Sequence, residues 1–556
     1  MRKIRVKTQN EQEQGIFPEF FSNNRGAYAL LAFFGLLAYF QTFYFDFTYF
    51  DDNVLILNNF KYISRLSNLL AAFKDDAFYI MHSWTAYYRP LLTVSIILDA
   101  QIGGLSPYIY HVTNVAIHIA AACLLYLFLT ELKYPKAPAL LMSAVFTVHP
   151  VLTQAVAWIP GRNDPLTAVF LLSAFITLLR YLGTGKLKYY LLHVLFFALS
   201  LFTKETAVFF VAVCLLYYYA VLKKNGFFLK EKNLLIGWAA VLAVWYLMRR
   251  AALINPPEQM SFYDLIRVLA WNLPAVIQYA GKIFLPVNLS VMPIMEDTTF
   301  VYGLIAAALM TLLLYTSKNK RYPYIVFGIV WFLLFLLPSF IAPNNGIATN
   351  FFEHRAYVPM IGLIILMLET DAVRYISAKA GRLTAVGAFL MIIFSLTTFS
   401  YSKLFKNRAD FWESAVKSSP HSIYAHNNIG LLYLSQGQLD KAEREFRKML
   451  ELNAISPRAH YNLGVIYMQR NMLKEAGAEF KEELARYDNY DKANFALGFV
   501  CYRAGDLKQA EFYWKKTIQL NPDFTDAYRD LATLYSGTGD KKQASYYTDQ
   551  LKNRGE

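Results

Sequence analysis

Apolar runs recur along the first 402 residues at lengths suited to a hydrocarbon layer of about 30 Å, which a helix crosses in roughly 20 residues. They lie at 27–45, 110–130, 137–157, 165–183, 189–203, 206–222, 233–248, 300–316, 323–341, 356–371 and 383–400. The pattern predicts about eleven membrane-spanning helices. Pro150, Pro338 and Pro359 fall within three of these runs, where neighbouring helices can satisfy the freed carbonyls, so kinks rather than breaks are expected. The stretch 266–285 is long enough to cross, yet Trp271, Asn272 and Pro274 make its centre polar. It is expected to be re-entrant or to lie along the outer surface.

Beyond residue 402 the period changes. Gly430, Gly464 and Gly498 stand 34 residues apart, and Ala532 continues the series. Tyr433, Tyr467 and Tyr535 follow three residues later, Ala442, Ala476, Ala510 and Ala544 hold the next small position, and Phe446, Phe480 and Trp514 the next large one. Period and residue types are those of tetratricopeptide repeats, in which small residues let two antiparallel helices approach and aromatics fill the space between them. Units beginning near Ile423, Pro457, Asp491 and Thr525 predict a solenoid of four helix pairs over 423–556, preceded by a linker helix at 403–422. Its concave face would hold an extended peptide, here the acceptor; the alternative is a spacer or a dimerisation surface. The expected fold is therefore all-α: a polytopic helix bundle over 1–402, with 46–109 as its first outer loop, and then the solenoid.

Composition narrows the class. With 56% hydrophobic, 17% aromatic and 17% charged residues in 556, one globular core is excluded. The formal charge of +14 divides into +11 over 1–402 and +3 beyond, so the basic excess belongs to the membrane half. No basic stripe interleaved with stacking aromatics appears in a soluble segment, which removes nucleic acid as a partner. Cys123, Cys214 and Cys501 are too few and too scattered for a disulfide framework or a zinc site. The run 27–45 is longer than the apolar core of a signal peptide and no small-residue cleavage pattern follows it, so it is expected to stay as the first span.

Loop charge sets the orientation. With a cytoplasmic N-terminus, the inner loops 1–26, 133–136, 180–188, 223–232, 318–321 and 374–382 hold 20 basic residues, whereas the short outer loops hold Arg162, Lys204 and Arg355 singly. The repeats then emerge on the same side as the loop 46–109.

That side carries the candidate chemistry. Phe50-Asp51-Asp52-Asn53 follows the first span directly. A carboxylate beside the bilayer can deprotonate an acceptor hydroxyl, and a second can orient the acceptor or raise the first one's pKa by like-charge repulsion, so Asp51 and Asp52 are the catalytic candidates. Asp75-Asp76 reads as a solvated turn. Arg89, Arg162, Lys204, Arg249, Arg250, His354 and Arg355 fall on outer loops or span ends, and a lipid-linked phosphate would account for cations on a face otherwise poor in them. Tyr88, Asp164, Glu205 and Glu353 are candidates for holding the acceptor or supporting these cations. The competing reading pairs chain neighbours, Lys204 with Glu205 and Glu353 with Arg355. His111, Asn114 and His118 share one helix face and His149 precedes Pro150; no ligand spacing accompanies them, so interhelical hydrogen bonds are expected instead of a metal.

The segments FDDNVLILNN (50–59), YYRPLLTVSIILDAQIGGLSPYIYHVTNVAIH (87–118), HPVLTQAVAWIPGRNDPL (149–166), TKETAV (203–208), GKIFLPVNLSV (281–291) and FEHRAYVPMIGL (352–363), followed by the repeats, resemble the transmembrane and tetratricopeptide-repeat O-mannosyltransferases and their bacterial relatives. The resemblance runs in order through nearly the whole chain. It implies the GT-C glycosyltransferase architecture, a polyprenyl-phosphate sugar as donor, an acidic motif falling on Asp51-Asp52, and transfer of a hexose, mannose, to Ser or Thr hydroxyls of proteins on the outer face. An inverting reaction with no cofactor and no required divalent metal is expected, because polyprenyl phosphate is already a good leaving group. The family commonly has an acidic residue where Gln154 stands and a small one at Asn163. The four-repeat tail resembles a bacterial relative, which implies the cytoplasmic membrane with the active face outward. Alternatives are the same fold glycosylating a lipid or a cell-surface glycan, or a non-catalytic scaffold anchored in the membrane. A scaffold needs one anchor, and a transporter would gather its charges at mid-membrane instead of at one face.

Overall fold

A computed structural model describes residues 24–81, 87–253, 261–341 and 351–554; among these the chain is helical, with no β-strand. The basic MRKIRVK stretch of the first inner loop lies outside the described residues. The chain forms two compact units, one ending at Ser418 and one beginning at Ser419.

Each of the eleven apolar runs is helical in the first unit. Six helices are long and apolar enough to cross a membrane: Asn24–Tyr44, Pro107–Glu131, Ile159–Thr184, Lys232–Ala252, Tyr322–Phe340 and Ala380–Phe405. Two further segments are bent pairs, Lys136–Thr147 with Pro150–Ala157 at 48° and Glu353–Leu368 with Asp371–Ser377 at 77°. Leu187–Thr203, Glu205–Val221 and Val301–Thr316 are apolar but shorter. By length and composition, six to eight of the eleven expected crossings are thus long enough among the described residues.

The three prolines lie at the ends of helical elements and not at kinks within them. At Pro150 the helix breaks: Lys136–Thr147 ends, and His149 Nδ1 accepts the Val151 amide at 3.3 Å to start the next turn. A missing N–H and a ring that clashes one turn back make continuation costly there. Pro338 sits in the 3-10 turn Leu337–Phe340 that closes the helix Tyr322–Leu336. Pro359 lies in the first turn of Tyr357–Leu368, where no intrahelical amide is needed. The polar stretch 266–285 divides into Phe262–Asn272 and Ala275–Phe284, parted at Pro274.

Helix contact inside the bundle follows small residues. A Cβ on Gly362 would lie 2.4 Å from the Gly328 carbonyl oxygen, so Tyr322–Leu336 and Tyr357–Leu368 pack backbone against backbone. Three loops expected to be inner meet at one buried carboxylate: Glu369 accepts from Tyr134 Oη at 2.7 Å, Arg321 Nη2 at 2.6 Å and Arg374 Nη2 at 3.3 Å. A carboxylate taken out of water is tolerated when paired and hydrogen-bonded in this way.

The first outer loop is folded. It contains an apolar helix, Pro90–Gly103, absent from the sequence expectation although Pro at its first position and Gly104 (φ +59°) beyond its end mark its bounds. Leu92, Ile96 and Ile97 of this helix form a separate core with Phe47, Leu55, Ile56 and Tyr110. The expected linker segment holds the helix Arg408–Ser418, whose Phe411 and Trp412 are buried within the first unit.

The second unit consists of helix pairs Ile423–Ser435 with Leu439–Leu452, Ala459–Gln469 with Leu473–Arg486, Asp491–Arg503 with Leu507–Leu520, and Thr525–Thr538 with Lys541–Lys552. The 34-residue glycine has a steric cause: a Cβ on Gly464 would stand 2.5 Å from Phe480 Cε1, and one on Gly498 2.6 Å from Trp514 Cδ1. A second feature shares the period. His426 Nδ1 lies 2.6 Å from Glu445 Oε2 and His460 Nδ1 2.7 Å from Glu479 Oε2, at equivalent places in successive repeats.

Candidate functional site

The turn after the first span presents its two aspartates differently. Asp52 is buried, and its Oδ2 accepts the Thr48 amide at 3.0 Å and the Thr48 hydroxyl. Its Oδ1 is buried with no hydrogen-bond partner among the described residues. Asp51 is half-buried, and among the described residues its carboxylate takes no hydrogen bond. Burial first, then the like charge of Asp52, push Asp51 up to about 7, against the opposing field of Arg89. Burial also raises Asp52, to about 6, while the Thr48 hydrogen bonds oppose the rise. A locked carboxylate thus stands beside a reachable one.

Phe50, immediately before the pair, fixes the turn. Its ring stacks on Trp158 at 5.3 Å, and lies 6.0 Å from Phe411 and 5.6 Å from Trp412. Phe352 at 6.0 Å completes the cluster and in turn stacks on His354 at 5.4 Å. Aromatic surface of this kind holds a backbone turn through burial and geometry together. Apart from His354, none of these rings was a sequence candidate. Phe50 and Phe352 stand immediately before candidate motifs, which is their signal in the sequence; Phe411 and Trp412 flank none.

The cations gather, but with partners other than their chain neighbours. Lys204 ends the helix Leu187–Thr203 and donates to Asp164 Oδ1 at 2.6 Å. Glu205 accepts instead from Arg89 Nε at 3.1 Å. The competing reading, which paired Lys204 with Glu205 and Glu353 with Arg355, therefore gives way to partners distant in the chain. Glu353 is fully buried, taking Lys282 Nζ at 2.8 Å and the Ser290 amide at 2.9 Å on Oε1, and Tyr401 Oη at 2.9 Å on Oε2. Arg355 donates to the Ser339 carbonyl at 3.1 Å, with its guanidinium 5.3 Å from the Phe352 ring. Burial lowers the pKa of Lys204; Asp164 opposes this, and the positive fields of Arg89 and Arg355 add to it. The three cations therefore feel one another. Asp164 Oδ2 and Glu205 Oε1 are buried with no hydrogen-bond partner among the described residues.

Other candidates stand elsewhere in the network. Arg162, expected among the phosphate-facing cations, is fully buried and committed to Asp99 Oδ2, with Nη2 donating to the Tyr110 carbonyl at 2.9 Å. It ties the outer-loop helix to the second span. Asp99 went unnoticed in sequence, although a lone carboxylate in an apolar run is itself a signal. Tyr88 is buried and donates to the Phe73 carbonyl at 2.8 Å, a structural role within the loop. Arg249 and Arg250 end the helix Lys232–Ala252, Arg249 with its guanidinium 5.9 Å from the Trp245 ring and Arg250 exposed. His354 is held by Gln154, whose Oε1 accepts the His354 amide at 3.1 Å and lies 3.2 Å from Nδ1. Two of the polar residues of the second span make the expected interhelical bonds: His118 Nδ1 lies 2.6 Å from Tyr357 Oη, and Asn114 donates to the Val156 carbonyl at 3.1 Å, whereas both ring nitrogens of His111 are buried with no hydrogen-bond partner among the described residues. Among the described residues no group of three His, Cys, Asp or Glu side chains is placed to hold a metal ion.

Chemically, the arrangement offers a raised, accessible carboxylate in the field of an arginine, and that arginine shares a cluster with two further cations. An anion placed among the three cations would offset their mutual repulsion.

Comparison with known proteins agrees with the resemblance read from the motifs. Residues 427–494 and 491–524 match family models described as tetratricopeptide repeat. The chain is similar to Protein O-mannosyl-transferase TMTC1 of Homo sapiens, 24% identical over 426 residues, which cover 66% of this chain and 48% of that protein. It is also similar to Protein O-mannosyl-transferase tmtc2 of Xenopus laevis, 24% identical over 520 residues, 75% of this chain and 61% of that protein. The chain spans about half to three fifths of the length of these relatives. A crystal structure of MamA, 24% identical, overlaps 26% of this chain and 84% of its own, with a TM-score of 0.25.

Proposed function

We propose that the protein is a membrane O-mannosyltransferase that moves mannose from a polyprenyl-phosphate donor to Ser or Thr hydroxyls of proteins on the outer face of a bacterial cytoplasmic membrane. Asp51 takes the acceptor proton as its oxygen attacks the anomeric carbon from the side opposite the phosphate. The bond from that carbon to the phosphate oxygen breaks, and polyprenyl phosphate leaves with the electron pair. One inversion results. Lys204, Arg89 and Arg355 hold the phosphate and take up the charge that grows on it, so the step as drawn calls for no divalent ion. Asp164 and Glu205 keep two of these cations in place when the site is empty. The repeats recruit the acceptor.

The observation that carries this reading is the bond from Arg89 Nε to Glu205 Oε2 at 3.1 Å, which ties the loop of Asp51 to the turn of Lys204, itself bonded to Asp164 at 2.6 Å. Relatives named as protein O-mannosyl-transferases support the sugar and the acceptor class. The test is to incubate the purified protein in lipid with radiolabelled polyprenyl-phosphate mannose and a periplasmic extract. Label on Ser or Thr of protein is expected. Label confined to lipid or polymer supports the glycan-acceptor alternative, and an unconsumed donor overturns the enzyme reading.

A further inference from the structure

Seven residues beyond Asp51, the first outer loop forms a cleft of about 400 Å3, within the size range of small-ligand sites. Asn58, Asn59, Lys61, Tyr62, Arg65 and Tyr79 are among its lining residues, and none of the lining residues is acidic. Asn59 is buried, and its Oδ1 accepts the Tyr79 hydroxyl at 2.7 Å, which orients the amide and leaves Nδ2 as donor. The Tyr62 and Tyr79 rings lie 5.3 Å apart. Lys61 and Arg65 are exposed, and neither is in an ion pair among the described residues. Of the loop's other carboxylates, Asp75 accepts from Tyr62 Oη at 3.3 Å, and Asp76 accepts the Phe78 amide at 2.7 Å in its own turn. The cleft is thus lined by amides and two cations, with Ile80 as its aliphatic member, in the same loop as the proposed base.

We propose that this cleft binds acidic side chains of the acceptor polypeptide, a few residues from the hydroxyl that receives the sugar. The assignment rests on the acceptor being protein. Asn53–Leu57 is a π-helical turn, whose rise per residue is below the roughly 1.5 Å of an α-helix, so along the chain Asn58 lies within roughly 10 Å of Asp51. An extended peptide covers that distance in about three residues. Side-chain amides and phenols pair with peptide groups, the two cations with carboxylates. A lipid headgroup is the weaker fit, because its acyl chains need an apolar continuation and Ile80 is the one aliphatic side chain among the residues that line the cleft.

The experiment uses the full chain in neutral phosphatidylcholine vesicles with polyprenyl-phosphate mannose. Two synthetic peptides are compared, each with one Ser, carrying either Asp or Asn at the third to fifth positions on both sides. We expect kcat/KM to favour the acidic peptide by roughly five- to tenfold, the scale of two exposed ion pairs, and the preference to shrink with added salt. The double substitution Lys61→Glu, Arg65→Glu should bring the ratio below one. Equal rates for the two peptides in the unaltered protein overturn the assignment without recourse to any variant. A preference kept in the double variant overturns it too, as does one kept while binding to anionic vesicles is lost, which would make the cleft a lipid site. If neither peptide is labelled, protein mannosylation itself fails, and the cleft assignment with it.

Discussion

Lys204 Nζ lies 2.6 Å from Asp164 Oδ1, forty residues away in the chain, while the adjacent Glu205 turns to Arg89. Both side chains of the Lys204–Asp164 pair are buried. Removing one partner therefore strands a charge. Asp164→Ala should destabilise the first unit by about 3–5 kcal/mol, read as a lowered thermal unfolding midpoint in detergent. The double variant Lys204→Met, Asp164→Leu should recover most of that stability yet stay inactive, since the phosphate contact is gone. Recovery of transfer in the double variant would show that the pair serves packing alone.

The two aspartates should separate on mutation. Asp51→Asn is expected to lower kcat by roughly 100- to 10,000-fold, the usual scale for a lost general base. Asp52→Asn should cost less, because Asp52 is fastened to Thr48 and acts on the reaction through its neighbour. Initial rates at saturating donor decide this; the reverse order would move the base to Asp52.

The pH profile follows from the same pair. A base must be ionised to accept a proton, and Asp51 is raised to about 7. Activity should therefore be low in acid, rise through about pH 7 and level off above it. In Asp52→Asn the like charge is absent, so the midpoint should move to lower pH. A profile of kcat/KM that stays flat across about pH 5 to 8 would remove Asp51 as the titrating group.

In the repeats, Gly464→Val forces atoms into Phe480, whose ring already stands 2.5 Å from an added Cβ. Overpacking of this kind costs about 1–3 kcal/mol. Loss of helical circular dichroism on heating should come earlier in this variant, and trimming the ring in Gly464→Val, Phe480→Leu should restore part of the loss.

Topology can be read by thiol labelling after the three native cysteines are replaced by serine. An impermeant maleimide should label Ser536→Cys in intact cells and Asn319→Cys only after permeabilisation. Both positions are exposed, so failure to react reports the compartment. The opposite pattern would place the repeats in the cytosol and remove them as recruiters of an outer acceptor.

By itself the amino-acid order determined where the chain avoids water and where it repeats. Apolar run length and a 34-residue period are local, additive signals, and every expected run and repeat helix is helical in the structure. It also placed the acidic pair and the cations in the loops between those runs or at their ends. Tertiary packing alone decided who pairs with whom. Lys204 meets Asp164, Glu353 meets Lys282 and Arg162 meets Asp99, because charge pairing depends on which helices lie side by side and not on separation along the chain. It decided likewise that Pro150 breaks its helix and that the loop hides the helix Pro90–Gly103. Two identical side chains, Asp51 and Asp52, acquired different roles only when one was fastened to Thr48 and the other left reachable, since burial and hydrogen bonding, which set the chemistry of a carboxylate, exist only in the folded molecule.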